Sequence, residues 1–250
     1  MVAVQVLLRH RGEEELSRWL GVETSRAIRD SIRYPAPMTP VHLQTRSESL
    51  IVRGPSGDLE TVVDAPESVA IGELVVVCHP HPLHGGTMTN KVAHMLAKSF
   101  NAAGAAAIRF NFRGVGKSDG TYAEGIGETD DTLAVIEWAR SRWAGASLSL
   151  AGFSFGGAVA IRAAAAIEPG RLVTVAPAVD RVHVPVDRLP RCPWLVIQGD
   201  QDEVVDPNAV RAWIEQLPDP PELALMPGVG HYFHGTLNQL KQTVMDWLAQ

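Results

Sequence analysis

Apolar residues follow two alternating patterns along most of the chain. Short, nearly continuous apolar runs are typical of strands buried on both faces of a sheet. Longer segments with apolar residues three and four positions apart are typical of helices that cover such a sheet. The runs predict strands at 74–79, 105–112, 148–153, 171–176, 194–199 and 223–226, and the longer segments predict helices at 90–103, 128–142, 155–167, 207–217 and 235–249. This alternation predicts an α/β fold with a doubly wound, mostly parallel sheet.

The part of the chain before residue 74 has a different character. Short alternating runs at 49–53 and 59–64 flank the string Gly-Pro-Ser-Gly-Asp at 54–58, which predicts a β-hairpin. Residues 1–44 are expected to form an N-terminal extension of uncertain order. The sequence therefore predicts one folded domain at 45–250.

Composition narrows the class of protein. The chain has 250 residues, of which 46% are hydrophobic and 20% charged, as in ordinary globular domains. Its formal net charge of −6 argues against nucleic acid or an anionic membrane as a partner, since both attract positive surfaces. No apolar run approaches the ~18 residues of a membrane-spanning helix. Two cysteines, Cys78 and Cys192, indicate reduced thiols in a cytoplasmic protein rather than a disulfide framework. The oligomeric state is left open.

A candidate nucleophile lies at the junction of a predicted strand and a predicted helix. The string Gly-Phe-Ser-Phe-Gly at 152–156 places Ser154 at a sharp strand-to-helix turn. Flanking glycines remove clashes there, and the helix N-terminus favours developing negative charge. The alternative is a glycine-rich turn with a capping serine. A serine hydroxyl also needs a base to accept its proton.

The base is expected beyond the carboxyl end of another strand. The string Gly-Val-Gly-His-Tyr-Phe-His-Gly at 228–235 follows the last predicted strand. His231 lies nearer the strand end and between glycines, so it is the better candidate. His234 is the alternative, with a role at the helix N-terminus or in packing.

An acid that orients the imidazole is expected in the segment after the strand at 194–199. Asp200 belongs to the strand end and its turn, and Asp206 suits the N-cap of the helix that begins at Pro207. Asp202 lies between them and is the preferred partner of the histidine.

The loop after the strand at 74–79 is expected to supply part of an oxyanion hole. Acyl transfer needs two donors aimed at the tetrahedral oxyanion, and these are usually backbone N–H groups. Phe155, immediately after the candidate nucleophile, would provide one. Pro80 and Pro82 have no N–H, so His81 is the preferred second donor and Leu83 the alternative.

Three histidines in this loop also raise a metal hypothesis. His79, His81 and His84 nearly match the His-x-His-x-Asp-His string of the metallo-β-lactamase fold, but Leu83 replaces its aspartate. The alternating prolines hold the backbone extended, which disfavours convergence of the imidazoles on one ion. A serine mechanism is therefore favoured over a zinc hydrolase, and neither a metal nor a cofactor is expected. His79 is then expected to be a structural hydrogen-bonding residue, and Leu83 and His84 to line a substrate pocket.

The blocks HPHPLHGGTMTNK, FNFRGVGKSDG, AGFSFGG, VIQGDQDEVVDP and GHYFHG, in this order, resemble the α/β-hydrolase superfamily. More narrowly, the chain is similar to its small bacterial branch near the dienelactone hydrolases. The resemblance implies the α/β-hydrolase fold and the roles of nucleophile, acid and base for Ser154, Asp202 and His231. Dienelactone hydrolases use a cysteine nucleophile, so the serine here puts a lactone substrate in doubt. Only residues 177–193 join two strands where larger relatives insert a lid, so no lid domain is expected.

The block at 110–119 invites a phosphate-loop interpretation, but its glycine and lysine spacing does not fit one. Arg113 is instead expected to anchor the turn beside the active-site loop. Glu128 and Asp131 are expected to place negative charge in the first turn of the next helix, where it complements the helix dipole.

Taken together, these residues predict a serine hydrolase that cleaves a small or accessible carboxylic ester or thioester through an acyl-enzyme intermediate. Its partner would be a small-molecule acyl substrate. A peptidase or amidase with the same three residues is the near alternative. A zinc hydrolase and a non-catalytic binding scaffold are the others.

Overall fold

A computed structural model of the chain describes residues 45–67, 70–184 and 189–250. The predicted N-terminal extension, residues 1–44, lies outside the described residues. Within the described part, eight strands form a single sheet: β1 (Thr45–Gly54), β2 (Gly57–Pro66), β3 (Glu73–Cys78), β4 (Ala106–Phe110), β5 (Ser147–Phe153), β6 (Arg171–Val175), β7 (Trp194–Gly199) and β8 (Glu222–Met226). Their order in the sheet is β1-β2-β4-β3-β5-β6-β7-β8. Strand β2 pairs antiparallel with both β1 and β4, and every other pair of neighbouring strands is parallel.

Helices cover both faces of this sheet: α1 (Lys91–Ala102), α2 (Ile126–Arg142), α3 (Phe155–Ile167), α4 (Pro207–Glu215) and α5 (Leu237–Leu248). Side chains of β3 alternate between two apolar clusters, with Leu74 and Val76 in one and Val75 and Val77 in the other, so the clusters lie on opposite faces. Helices α2, α3 and α4 contribute to the first cluster, and α1 and α5 to the second.

The predicted doubly wound, mostly parallel α/β sheet is confirmed, with most boundaries within two residues of those predicted. The strand predicted at 105–112 ends earlier, at Phe110. Asn111 still donates its backbone N–H to the carbonyl oxygen of Glu60 at 2.8 Å. Its side chain binds the backbone N–H of Met88 and the carboxylate of Glu60. Between β6 and β7, the described residues 176–184 and 189–193 contain no helix. Within the described residues, no helix has the length and apolar character that crossing a membrane requires.

Two carboxylates at the start of α2 have a role that the sequence analysis did not predict. Glu128 and Asp131 were expected to act only on the helix dipole, but both are fully buried. Glu128 accepts hydrogen bonds from the backbone N–H groups of Ala123 and Gly125, both at 2.8 Å. Asp131 binds the guanidinium of Arg113 through both of its oxygens, at 3.0 and 2.7 Å. The two carboxylates therefore hold the long loop between β4 and α2. Arg113, which the sequence predicts to anchor this turn, binds Asp131.

Replacing Asp131 with alanine is expected to lower the free energy of unfolding by about 3 kcal/mol, because it leaves the Arg113 guanidinium without its buried partner. Urea unfolding followed by circular dichroism measures this loss. The matched control is Asp130→Ala, which removes the exposed neighbouring carboxylate. Equal losses in the two variants would contradict the role assigned to this ion pair.

Candidate active site

The sheet topology brings several loops to one edge. Strands β3 and β5 to β8 are parallel, so the segments that follow them all leave from their carboxyl ends. In open parallel sheets this edge is where ligands bind. The predicted nucleophile, acid, base and oxyanion donors all lie in these segments.

Ser154 occupies the sharp turn between β5 and α3. Its backbone has φ 56° and ψ −120°, a left-handed conformation that costs a non-glycine residue about 1–3 kcal/mol. The neighbouring glycines make the turn possible by allowing close approach. A Cβ atom at Gly152 would lie 2.2 Å from the carbonyl oxygen of Gly156, and one at Gly156 would lie 2.3 Å from that of His79. A side chain at Gly152 would push the start of α3 away from β5, and one at Gly156 would push it away from the end of β3.

Three predicted side chains meet in one hydrogen-bonded chain. The Oγ atom of Ser154 lies 3.1 Å from Nε2 of His231. The Nδ1 atom of His231 lies 2.8 Å from Oδ2 of Asp202. All three residues are buried, with exposed fractions of 7%, 3% and 7% for Ser154, His231 and Asp202. The arrangement can pass a proton from the hydroxyl to the imidazole while the carboxylate holds the imidazole in place.

The Asp202 carboxylate is held in its ionised form. Burial raises its pKa, but hydrogen bonds from His231 and from the backbone N–H groups of Val205 and Val204 outweigh burial and leave the pKa below its usual value. Its Oδ1 accepts the backbone bonds at 2.7 and 2.9 Å. Its Oδ2 also accepts from the Gln198 side chain at 3.0 Å. With Oδ2 accepting from Nδ1–H, Nε2 of His231 is left free to accept the serine proton.

The other acid and base candidates have separate structural roles. Asp200 accepts a hydrogen bond from the backbone N–H of Gly228 at 2.6 Å, in the turn after β8. Asp206 caps α4 by accepting from the backbone N–H of Asn208 at 2.9 Å. His234 is exposed, and its ring contacts Tyr232. The preferences for Asp202 over its neighbours and for His231 over His234 agree with this geometry.

The sequence did not predict a role for two polar residues near His231, Glu203 and Gln198. Glu203 accepts a hydrogen bond from the backbone N–H of His231 at 3.2 Å, and Gln198 binds the carboxylate of Asp202. Gln198 is the polar residue in the buried strand Trp194–Gly199, and that position could have drawn attention to it. Glu203 carried no comparable signal, because it is one of several acidic residues in a loop.

Neither cysteine competes with Ser154 as a nucleophile. Both thiols are free. Burial raises the pKa of Cys78 to about 12 and that of Cys192 to about 11, so very little thiolate forms near neutral pH.

The candidate oxyanion donors lie around the N-terminus of α3. Phe155 is the first residue of this helix, so its N–H has no partner within the helix. Gly156 packs directly against the backbone of Cys78 and His79, which places the start of the His81 loop beside that helix end. The N–H of Leu83 donates to Nδ1 of the His81 ring at 3.2 Å, so this alternative donor is already engaged. The N–H groups of Phe155 and His81 therefore remain the preferred donors.

The loop histidines are engaged by the protein itself. His79 is fully buried, with Nδ1 2.6 Å from the carbonyl oxygen of Pro80 and Nε2 accepting from the backbone N–H of Phe112 at 3.0 Å. Burial lowers the pKa of His79 to about 4, although the bond to Pro80 opposes this, so its ring is neutral near pH 7. In the part of the chain that the structure describes, no three His, Cys, Asp or Glu side chains are grouped to hold a metal ion. This geometry supports the structural role predicted for His79 and gives no support to the zinc alternative.

The surface beside the site is open. Leu83 is 67% exposed, and His84 is also exposed with its ring stacked on that of His81 at 4.5 Å. These are the two residues predicted to line a substrate pocket.

Several known proteins are similar to this chain. The family model described as serine aminopeptidase, S33, matches residues 74–192. A curated relative, an uncharacterized protein of Rickettsia prowazekii, is 29% identical over 211 residues, which is 78% of this chain and 86% of that protein.

Two solved structures are more similar in sequence. A protein from Xanthomonas campestris, described as an α/β serine hydrolase without a lid, is 44% identical with a TM-score of 0.78, over 85% of this chain and 96% of that one. An α/β serine hydrolase homologue from Coxiella burnetii is 41% identical with a TM-score of 0.76, over 80% of this chain and 96% of that one. Each similarity covers at least four fifths of this chain.

Proposed function

Because the chain belongs to the α/β-hydrolase superfamily, we propose that it is a serine hydrolase that cleaves small or accessible carboxylic esters or thioesters through an acyl-enzyme intermediate. The observation that carries this proposal is the hydrogen-bonded chain from Asp202 through His231 to Ser154. Each of these residues has the chemistry that one step of acyl transfer needs.

In the first half of the reaction, Oγ of Ser154 attacks the substrate carbonyl carbon, and Nε2 of His231 takes the hydroxyl proton. The carbonyl oxygen becomes an oxyanion, which the backbone N–H groups of Phe155 and His81 stabilise by hydrogen bonding. Asp202 stabilises the imidazolium that forms. Collapse of the tetrahedral intermediate breaks the bond to the leaving group, which takes its proton from His231.

In the second half, water replaces the leaving group. His231 accepts a proton from water as its oxygen attacks the acyl carbon, and a second tetrahedral intermediate forms at the same oxyanion donors. Its collapse releases the carboxylic acid, and the proton returns to Oγ of Ser154. The enzyme is then regenerated without a cofactor.

The openness of the site supports a small substrate with a reactive carbonyl. The described residues between β6 and β7 contain no helix that could cover the site. The exposed side chains of Leu83 and His84 would contact only part of the acyl or leaving group. Few contacts mean little binding energy for stabilising the transition state of an unreactive bond, which favours esters and thioesters over amides.

Labelling with a fluorophosphonate tests the reaction class. The probe is expected to form a covalent adduct with Oγ of Ser154 as fluoride leaves, and peptide mapping by mass spectrometry identifies the modified residue. The matched control is Ser141→Ala, which removes an exposed serine hydroxyl on α2 and should leave labelling unchanged. An unlabelled wild-type protein, or adduct retained by Ser154→Ala, would overturn the proposal.

A peptidase is the second candidate, because the matching family model is described as a serine aminopeptidase. The same three side chains can cleave an amide, provided that His231 protonates the leaving amine. Comparing kcat/KM for p-nitrophenyl esters with that for aminoacyl p-nitroanilides separates the two. We expect turnover of the esters and little or none of the anilides, and the reverse preference would favour the peptidase.

A further inference from the structure

The imidazole of His81 contacts two aromatic rings and forms two hydrogen bonds. Its ring lies 4.9 Å from that of Phe155 and 5.1 Å from that of Tyr122, centroid to centroid. Its Nδ1 accepts the backbone N–H of Leu83 at 3.2 Å. Its Nε2 lies 3.3 Å from the hydroxyl of Tyr122. Both ring nitrogens are therefore engaged.

These partners determine the tautomer of the ring. A backbone N–H can only donate, so Nδ1 of His81 must be the acceptor and Nε2 must carry the proton. The Nε2–H group then donates to the hydroxyl oxygen of Tyr122. Burial lowers the pKa of His81, and the neighbouring His84 and Arg181 lower it further by smaller amounts. The ring is therefore neutral near pH 7.

Tyr122 is itself held in a fixed part of the loop between β4 and α2. The backbone N–H groups of Ala123 and Gly125, which follow it, are both bound by the fully buried carboxylate of Glu128. The Tyr122 ring also lies 5.8 Å from that of Phe155. The hydroxyl that meets His81 is thus carried by a segment that Glu128 anchors to α2.

We propose that Tyr122 is a positioning residue for the reaction: its hydroxyl holds the His81 ring, and thereby the His81 backbone N–H, at the oxyanion of the tetrahedral intermediate. This inference rests on the proposed function. The two ring hydrogen bonds restrict rotation of the His81 side chain, and without the hydroxyl only the bond from Leu83 would remain. The backbone N–H of His81 is then less well directed at a charge that exists only in the transition state.

The Tyr122→Phe variant tests this role, since it keeps the ring and removes only the hydroxyl. We expect kcat for a p-nitrophenyl ester to fall about tenfold, less than the 10²–10³ that loss of an oxyanion donor costs, with KM changed less than twofold. Inhibition by an arylboronic acid gives a second readout. Oγ of Ser154 adds to its boron to form a tetrahedral adduct, and we expect the inhibition constant to rise by the same factor as kcat/KM falls.

Two controls separate positioning from a general structural role. Tyr232→Phe removes the other tyrosine hydroxyl that the structure describes and is expected to leave kcat unchanged. The melting temperature of Tyr122→Phe should fall by less than about 4 °C, as for the loss of one hydrogen bond in a domain of this size. A larger fall together with unchanged kcat would overturn the inference, because Tyr122 would then serve stability alone.

Other results would also overturn it. Unchanged kcat and boronate inhibition would show that the hydroxyl does not matter, and a rise in KM alone would make Tyr122 a substrate contact. Failure of the proposed function is recognised separately. Wild-type protein that neither reacts with fluorophosphonate at Ser154 nor hydrolyses esters would refute the serine mechanism itself. If wild-type protein does both, and Tyr122→Phe has the same kcat and the same boronate inhibition, only the role of Tyr122 is refuted.

Discussion

Replacing Ser154 with alanine is expected to lower kcat for a p-nitrophenyl ester by about 10⁶-fold, the scale seen when the nucleophile of a serine hydrolase is removed. The variant lacks the oxygen that attacks the carbonyl carbon, so no acyl-enzyme can form. Residual hydrolysis would come from water in a site that still contains the oxyanion donors and His231. Steady-state kinetics, with protein free of wild-type contamination, measure the loss.

The same variant should fold as well as wild type or better. Alanine removes no described hydrogen bond except that to Nε2 of His231. Circular dichroism and thermal melting therefore serve as the control for this comparison. Turnover within tenfold of wild type in a folded Ser154→Ala protein would show that another group carries the reaction.

Replacing Asp202 with asparagine is expected to lower kcat by about 10⁴-fold while preserving the shape of the site. An asparagine amide facing Nδ1 of His231 donates a hydrogen bond where the carboxylate accepted one. The imidazole is then held with its proton on Nε2 and cannot accept the proton of Ser154. The low pKa of Asp202 means that wild type keeps its carboxylate ionised through the pH range of the assay.

Asp206→Asn provides the matched control for this substitution. Asp206 lies in the same loop and caps α4, a role that asparagine performs about as well. We expect its kcat to stay within a factor of about two of the wild-type value. If Asp202→Asn had no effect while Asp206→Asn abolished turnover, the acid would be wrongly assigned.

The main features of the fold were predictable because buried strands and helices have recognisable patterns of apolar residues. Strands β3 to β7 are covered on both faces, so their residues are apolar almost without interruption, as in Trp194–Gly199. The positions of Ser154, Asp202 and His231 followed from the same pattern. Each lies just beyond a strand end, and parallel strands bring such ends to one edge.

The contacts that organise the loops were not predictable in this way. Tyr122 meets His81 across 41 positions of sequence, and the path of the loop that carries Tyr122 has no periodic pattern. Glu128 and Asp131 stand in the first turns of a helix, where acidic residues are common because of the helix dipole. Their full burial depends on hydrogen bonds from backbone N–H groups and from Arg113. The pattern of apolar and polar residues along the sequence does not indicate these partners.

The left-handed backbone of Ser154 has a consequence for directed evolution. Glycine adopts this conformation without penalty, so Ser154→Gly relieves local strain while destroying the nucleophile. A library selected only for resistance to heat would therefore tend to enrich inactive proteins at this position. A search for more heat-resistant variants must therefore also select for catalytic turnover in every round of selection.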